Sequence, residues 1–278
     1  VSRVVSRRRA VVLAVGPDGV VRREREQALA AEEPLEIRAA GRSHSVTMRT
    51  PGEDFDLVAG FLLSEGVLRA REDLLALRYC VGTDAEGRQT YNVVEASLAP
   101  DAAVRALGRE RRTYTTSACG VCGLTAIDDV EVSSAFDVGG DGVVLDPRVL
   151  AGLPEALRAA QPVFERTGGV HAAGLFTAVG DAVLVREDVG RHNAVDKVLG
   201  RALLDGRLPA RGTVLQVSGR ASFELVQKAV MAGVPALAAV GAPSGLAVEL
   251  AERAGLTLVG FSRGDRLTVY TRPDRIDA

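Results

Sequence analysis

The spacing of apolar residues changes along this chain, and the changes mark its elements. Leu35 to Arg38 and Ser45 to Arg49 flank Gly41 and predict two strands joined by a turn. From about Asp54 to Glu65 the period becomes helical, with Phe55, Val58, Phe61 and Leu62 on one face. Glu53 and Asp54 stand where a helix dipole favours negative charge, and Gly66 suits the exit. Thr90 to Leu98 predicts another strand. A helix is expected from about Arg148 to Ala160, with Leu150, Leu153 and Leu157 on one side.

The last third is more regular. Strands are predicted at Ala182 to Arg186, Thr213 to Val217, Ala236 to Val240 and Thr257 to Gly260, and Leu267 to Thr271 closes the series. Helices carrying Val195, Val198, Leu199, Ala202 and Leu203, then Phe223, Val226 and Val230, then Ala247, Leu250, Ala251 and Ala254, fall between the strands. Such alternation indicates parallel pairing. The loops after parallel strands share one edge of the sheet, where ligands bind. Four such loops hold Arg191, His192, Arg220, Arg263 and Arg266. The expected fold is α/β: a C-terminal α/β sandwich with a mixed sheet over 146–278, a smaller hairpin-rich α+β domain over 1–112, and a cysteine-bearing linker over 113–145.

Composition narrows the function. The chain has 278 residues, enough for a sizeable core, and a net charge of −2, which does not mark a nucleic-acid binder. Arg7-Arg8-Arg9 reads as a solvated end. No apolar run reaches membrane-spanning length, and Ala10 to Val15 is too short for a signal-peptide core. Three cysteines, Cys80, Cys119 and Cys122, do not make a disulfide framework and fit a reducing compartment, so a cytosolic protein is expected.

The chemistry centres on Thr115-Thr116-Ser117-Ala118-Cys119-Gly120-Val121-Cys122-Gly123. Its small polar residues and glycines suit an exposed loop. A thiolate there would take a sulfur from a donor as a persulfide, and the second thiol would relay it or expel it by forming a disulfide. A thioredoxin-like motif is weakened by the glycines and the lack of aromatic neighbours. Structural zinc needs four ligands, and no second ligand pair lies at short spacing. A deaminase would need H-x-E ahead of the cysteines, whereas His171-Ala172-Ala173 follows them and lacks the Glu. Two buried small residues is a fair reading of Cys80 but not of the glycine-flanked pair.

The strand-end loops offer an anion site. Ser218-Gly219-Arg220-Ala221-Ser222 joins free backbone N–H groups, a helix dipole and an arginine. Ser222 and Ser244 are natural N-caps. Phe261-Ser262-Arg263-Gly264-Asp265-Arg266 reads as phosphate-binding beside the other loops. Glu187, Asp188 or Asp265 would accept hydrogen bonds from the donors of a guanine. His192 is either a general base near neutral pH or part of a structural network with Asp188, Arg191 and Asp196. His171 reads as a core histidine; Lys197 and Lys228 either reach the ligand edge or are solvated. No Walker A spacing occurs, so nucleotide hydrolysis is not supported.

Taken in order, Cys119-Gly120-Val121-Cys122-Gly123, Glu187-Asp188-Val189-Gly190-Arg191-His192 with Asp196-Lys197, Ser218-Gly219-Arg220-Ala221-Ser222, and Val259-Gly260-Phe261 ahead of Arg266 resemble the FdhD/NarQ family of formate dehydrogenase accessory sulfurtransferases, over about Glu33 to Thr271. The resemblance implies a cytidine-deaminase-like C-terminal fold without zinc chemistry, and a homodimer. It implies sulfur taken from a cysteine desulfurase and passed to the molybdenum cofactor in its bis-molybdopterin guanine dinucleotide form, for use by formate dehydrogenase. Cys119 matches the persulfide position, Cys122 its companion, and Phe261 to Arg266 the cofactor-binding segment. Here that segment carries an acid, Asp265, among its arginines. The competing expectation is a cofactor-delivery chaperone whose C-x-x-C is redox-active or binds zinc.

Overall fold

A computed structural model describes residues 4–80, 82, 89–107 and 134–278. Cys119 and Cys122, together with the basic stretch Arg109 to Arg112, lie outside the described residues.

The chain opens with an arm that the apolar pattern does not announce. β1 (Val5–Gly16) and β2 (Gly19–Ala30) pair antiparallel along their whole length around a turn at Pro17-Asp18. Both faces of the ribbon are largely exposed, so no core-facing alternation marks the strands. Arg7, Arg8 and Arg9 are solvated, as expected, but within a strand rather than a loose end.

A four-stranded sheet follows, ordered β4-β3-β6-β5. β3 (Glu33–Ala39) and β4 (Arg42–Arg49) turn through Ala40 and Gly41, both at positive φ, the geometry that fits the right-handed twist of a hairpin. β6 (Val93–Leu98) runs parallel to β3 and antiparallel to β5 (Leu74–Tyr79). α1 (Asp54–Ser64) lies where its spacing predicts, but nearly every residue is buried, not one face. The cause is its position: the sheet covers one side and a second helix layer the other. Asp54 completes a buried bidentate pair with Arg49, at 2.9 and 3.0 Å. α2 (Pro100–Leu107) follows β6.

The C-terminal sheet has six strands, ordered β12-β11-β10-β9-β7-β8. They are β7 (His171–Thr177), β8 (Ala182–Asp188), β9 (Thr213–Val217), β10 (Ala236–Ala239), β11 (Thr257–Arg263) and β12 (Arg266–Val269). β9, β10 and β11 are parallel, while β7 is antiparallel to both of its neighbours and β12 to β11. The sheet is therefore mixed. One face packs against α5 (Arg191–Leu204), α6 (Phe223–Met231) and α7 (Gly245–Ala254). The other is covered by α3 (Pro147–Ala159), through Leu150, Leu153 and Leu157. α4 (Pro162–Thr167) follows α3 and touches the arm at β2.

α1 and α5 join the two sheets into one continuous core. They approach at Gly60 and Gly200, where neither helix carries a side chain. Among the described residues no helix is long and apolar enough to cross a membrane.

Candidate functional site at the carboxyl edge of the large sheet

β8 and β9 both run against β7, so β8, β9, β10 and β11 share one direction. Their carboxyl ends form a single edge, as the strand–helix alternation predicts. Backbone hydrogen bonds stitch its loops together: Gly241 N donates to Gly219 O (2.9 Å), and Phe261 N donates to Gly241 O (3.1 Å). Arg263 Nε donates to Val240 O at 3.0 Å. A Cβ on Gly241 would lie 2.9 Å from Arg220 Cγ, so only glycine lets these two loops approach.

This edge gathers most of the predicted basic residues. Arg220, Arg263 and Arg266 are exposed, and Arg191 is half-buried beside Gly219. Phe261 stands at φ 50° with its side chain 45% exposed. A bulky residue is rarely held in the left-handed region, and such strain concentrates at functional positions. Gly264 and Asp265 form the exposed tip of the β11–β12 turn. With Arg266 they face the first turns of α3 across an open cleft of about 720 Å³.

Other predicted residues turn inward. Ser262 is fully buried and donates to Leu150 O at 3.1 Å, because strand alternation sends it to the opposite face from Phe261 and Arg263. Asp188 is 0% exposed. Its carboxylate accepts from the backbone N–H groups of Thr50 (3.0 Å) and Gly190 (2.9 Å) and from Asn193 Nδ2 (3.0 Å), and it pairs with Lys197 Nζ at 2.9 Å. Glu187 accepts from Val163 N and Phe164 N, at 2.9 and 2.8 Å, and so neutralises the start of α4. Of the three carboxylates considered for a guanine, only Asp265 is exposed on the edge.

The two candidate lysines neither reach the ligand edge nor face solvent. Lys197 also donates to Thr50 O, and Lys228 pairs with both oxygens of buried Asp196 at 2.9 Å. Burial opposes the Lys228 charge, but Asp196 and Glu224 outweigh it and raise its pKa. Burial pushes Asp196 up to about 6 against the pull of Lys228. His192 is buried, with Nε2 3.4 Å from Glu224 Oε2. Burial carries its pKa down to about 4, which weighs against a general base working near neutrality, and the carboxylate at its ring is Glu224, not the Asp188 or Asp196 of the expected network. Ser222 is the N-cap of α6, but its hydroxyl makes no capping bond; Ser244 does cap α7, accepting from Ala247 N at 3.2 Å.

His171 departs from its core reading. β7 is antiparallel, so its first residue arrives at the same edge. The ring is half-buried, with Nδ1 3.4 Å from Ser218 Oγ, and burial together with nearby Arg191 lowers its pKa. Ser218 Oγ also accepts from Ala172 N at 2.9 Å. Both residues line a cavity of about 520 Å³ that runs beneath α3 and α4. Val189, Ser218 and Val240, the first residues after β8, β9 and β10, contribute its floor, and Glu155, Arg158, Gln161 and Phe164 contribute from α3, α4 and their junction. The sequence reading passed over this second group. Its only local signal is Glu155 and Arg158, one turn apart among the buried leucines of α3, followed by Gln161 ahead of a proline.

The FdhD/NarQ family pattern matches residues 30–277. The chain belongs to the FdhD/NarQ family. A "Sulfur carrier protein FdhD" from Nocardia farcinica is 58% identical over 274 residues, covering 99% of this chain and 95% of that protein. A protein of the same name from Streptomyces avermitilis is 54% identical over 275 residues, covering 99% and 96%. The crystal structure of a protein from Desulfotalea psychrophila, described as a formate dehydrogenase accessory protein, superposes with a TM-score of 0.72 at 25% identity, covering 97% of this chain and 99% of that one. The mixed α/β architecture is thus that of the FdhD/NarQ family, and the arginine-rich edge is a feature of this FdhD/NarQ chain's described fold.

Proposed function

We propose that this protein is a sulfur carrier in the maturation of formate dehydrogenase. Near-full-length identity of 58% to a protein named as a sulfur carrier is the observation that carries this reading. In it, the Cys119 thiolate attacks the outer sulfur of a cysteine desulfurase persulfide. A new S–S bond forms on Cys119, the donor's S–S bond breaks, and the donor leaves as its thiolate. Attack by the Cys122 thiolate on the inner sulfur then releases hydrosulfide and leaves a Cys119–Cys122 disulfide, which a cellular dithiol reduces. The recipient is the molybdenum cofactor, as bis-molybdopterin guanine dinucleotide.

The basic edge supports the second half of this reading. Exposed Arg220, Arg263 and Arg266 suit the diphosphates of such a substrate, and the adjoining cavity is of ligand size. Ser134, where description of the chain resumes, donates to Val230 O near the end of α6, away from the ligand edge.

Intact-mass measurement after incubation with a desulfurase and cysteine tests the proposal. One added sulfur is expected, removable by reductant and missing from Cys119→Ala, and that variant fails to activate formate dehydrogenase. Full activation by Cys119→Ala, or stoichiometric zinc on the cysteines, would instead favour a delivery chaperone.

A further inference from the structure

The arm formed by β1 and β2 has a chemistry of its own, away from the large sheet. It lies ahead of the stretch matched by the family pattern, which begins at residue 30. Its base is held where α4 meets β2, with Gly169 beside Ala30. Between Arg7 and Glu26, through the turn, every residue but Ala10 is exposed. From Val4 to Ala31 six arginines stand against three acids, although the whole chain carries a net charge of −2.

These residues are sorted along the arm rather than across it. The pairs next to the turn are apolar on both faces: Val15 opposite Val20 on one, Ala14 opposite Val21 on the other. Val15 is 81% exposed and Val20 61%. Arginine begins at the next pair, where Leu13 stands opposite Arg22. Strand alternation then puts Arg7, Arg9 and Arg22 on one face and Arg8, Arg23 and Arg25 on the other. On the first face, Glu26 and Glu24 meet Arg7 and Arg22 at 3.1 and 3.4 Å. Such exposed pairs are weak and exchange readily for another anion. The second face carries no acid.

An apolar stripe on one face would suit a protein partner. An end that is apolar all round, with arginines behind it on both faces, suits a medium that surrounds it. A lipid surface is such a medium, with acyl chains beneath a layer of anionic headgroups. We infer that the arm docks end-on into an anionic lipid surface, with Val15, Val20 and Val21 at the acyl boundary and the arginines among the headgroup phosphates. The dimensions agree. Ala14, Val15 and Gly16 separate Leu13 from the turn, a rise of about 10 Å, which is the depth at which interfacial elements lie. Each strand pairs only with the other, so both outer edges of the ribbon carry backbone groups that hydrocarbon does not tolerate. The arm therefore rests in the surface and does not cross it. Asp18, at the turn, opposes entry into an anionic layer.

Co-sedimentation of the full chain with vesicles tests this. The chain is expected to sediment with vesicles of phosphatidylcholine and phosphatidylglycerol in equal parts, and at least about tenfold more weakly with phosphatidylcholine alone. Arg23→Gln with Arg25→Gln should weaken binding to the mixed vesicles by about tenfold or more, and Val15→Ser with Val20→Ser should do the same. Asp18→Asn should tighten it. All five positions are exposed and outside the core, so these variants keep the fold. The chain holds no tryptophan, so Val20→Trp places a single fluorescent reporter at the tip, and its emission should shift to the blue on the mixed vesicles. Failure to sediment with the mixed vesicles would overturn the assignment, as would sedimentation with no shift at Val20→Trp or with no effect of the arginine pair. Capture of a DNA duplex by a chain that ignores vesicles would give the arm to nucleic acid instead.

Discussion

Gly60 and Gly200 interlock α1 with α5. A Cβ on Gly60 would lie 1.8 Å from the Asp196 carbonyl oxygen, and one on Gly200 would lie 1.8 Å from that of Asp56. Each glycine thus opens a gap that the other helix's backbone fills. Gly60→Ala or Gly200→Ala must push the helices apart through a core that both sheets share. Overpacking commonly costs about 1–3 kcal/mol, and a backbone-on-backbone clash belongs at or beyond the upper end. Urea denaturation should show a loss of about 3 kcal/mol or more for either variant, and an unchanged midpoint would contradict this packing.

His192 supplies a pH dependence with a definite sign. Burial lowers its folded pKa from 6.5 to about 4. The unfolded chain takes up its proton as pH falls through about 6.5, and the folded chain does so only near 4. The stability held by neutral His192 is therefore complete above that range and lost as pH falls through it, by up to about 3 kcal/mol. Asp196, raised to about 6 by burial, works in the opposite direction, so total stability hides the effect. The difference between wild type and His192→Gln reveals it. Between pH 7 and pH 4 that difference should move against wild type by about 3 kcal/mol. A constant difference would show that folding leaves the His192 pKa unshifted.

Arg220 is exposed above Gly241 at the centre of the ligand edge. Arg220→Glu should weaken GDP binding about tenfold at low salt, and the gap to wild type should narrow as ionic strength rises and screens the charge. Arg220→Lys should retain most of the affinity. Equal affinity for wild type and the reversal would remove the phosphate role given to this loop.

The sequence made the C-terminal half readable because its strands are short apolar runs bounded by glycine and serine. Thr213 to Val217 is observed as predicted, and α3 differs from its prediction by one residue at each end. β7 was missed because it is buried on both faces, which erases alternation, and β1 and β2 because they have almost no buried face. The arginines of the edge were legible, since loop position alone places them. The fate of the carboxylates was not. Asp188 is engaged by Thr50, a residue of the other sheet's segment, and Glu187 by the first turn of a helix that precedes it in the chain. The cavity offered no periodic signal, because its lining joins residues that follow three separate strands to residues of α3 and α4.

Thr50 is held at every polar atom it has. Its N–H donates to Asp188, its carbonyl accepts from Lys197, and its hydroxyl accepts from the N–H of Val189. Val189 in turn forms part of the cavity wall. The shape of the candidate pocket is thus inherited from the amino-terminal half as much as from the loops that line it. A chimaera that exchanged only the carboxyl-terminal half between relatives would carry over every arginine of the edge and still lose the fit.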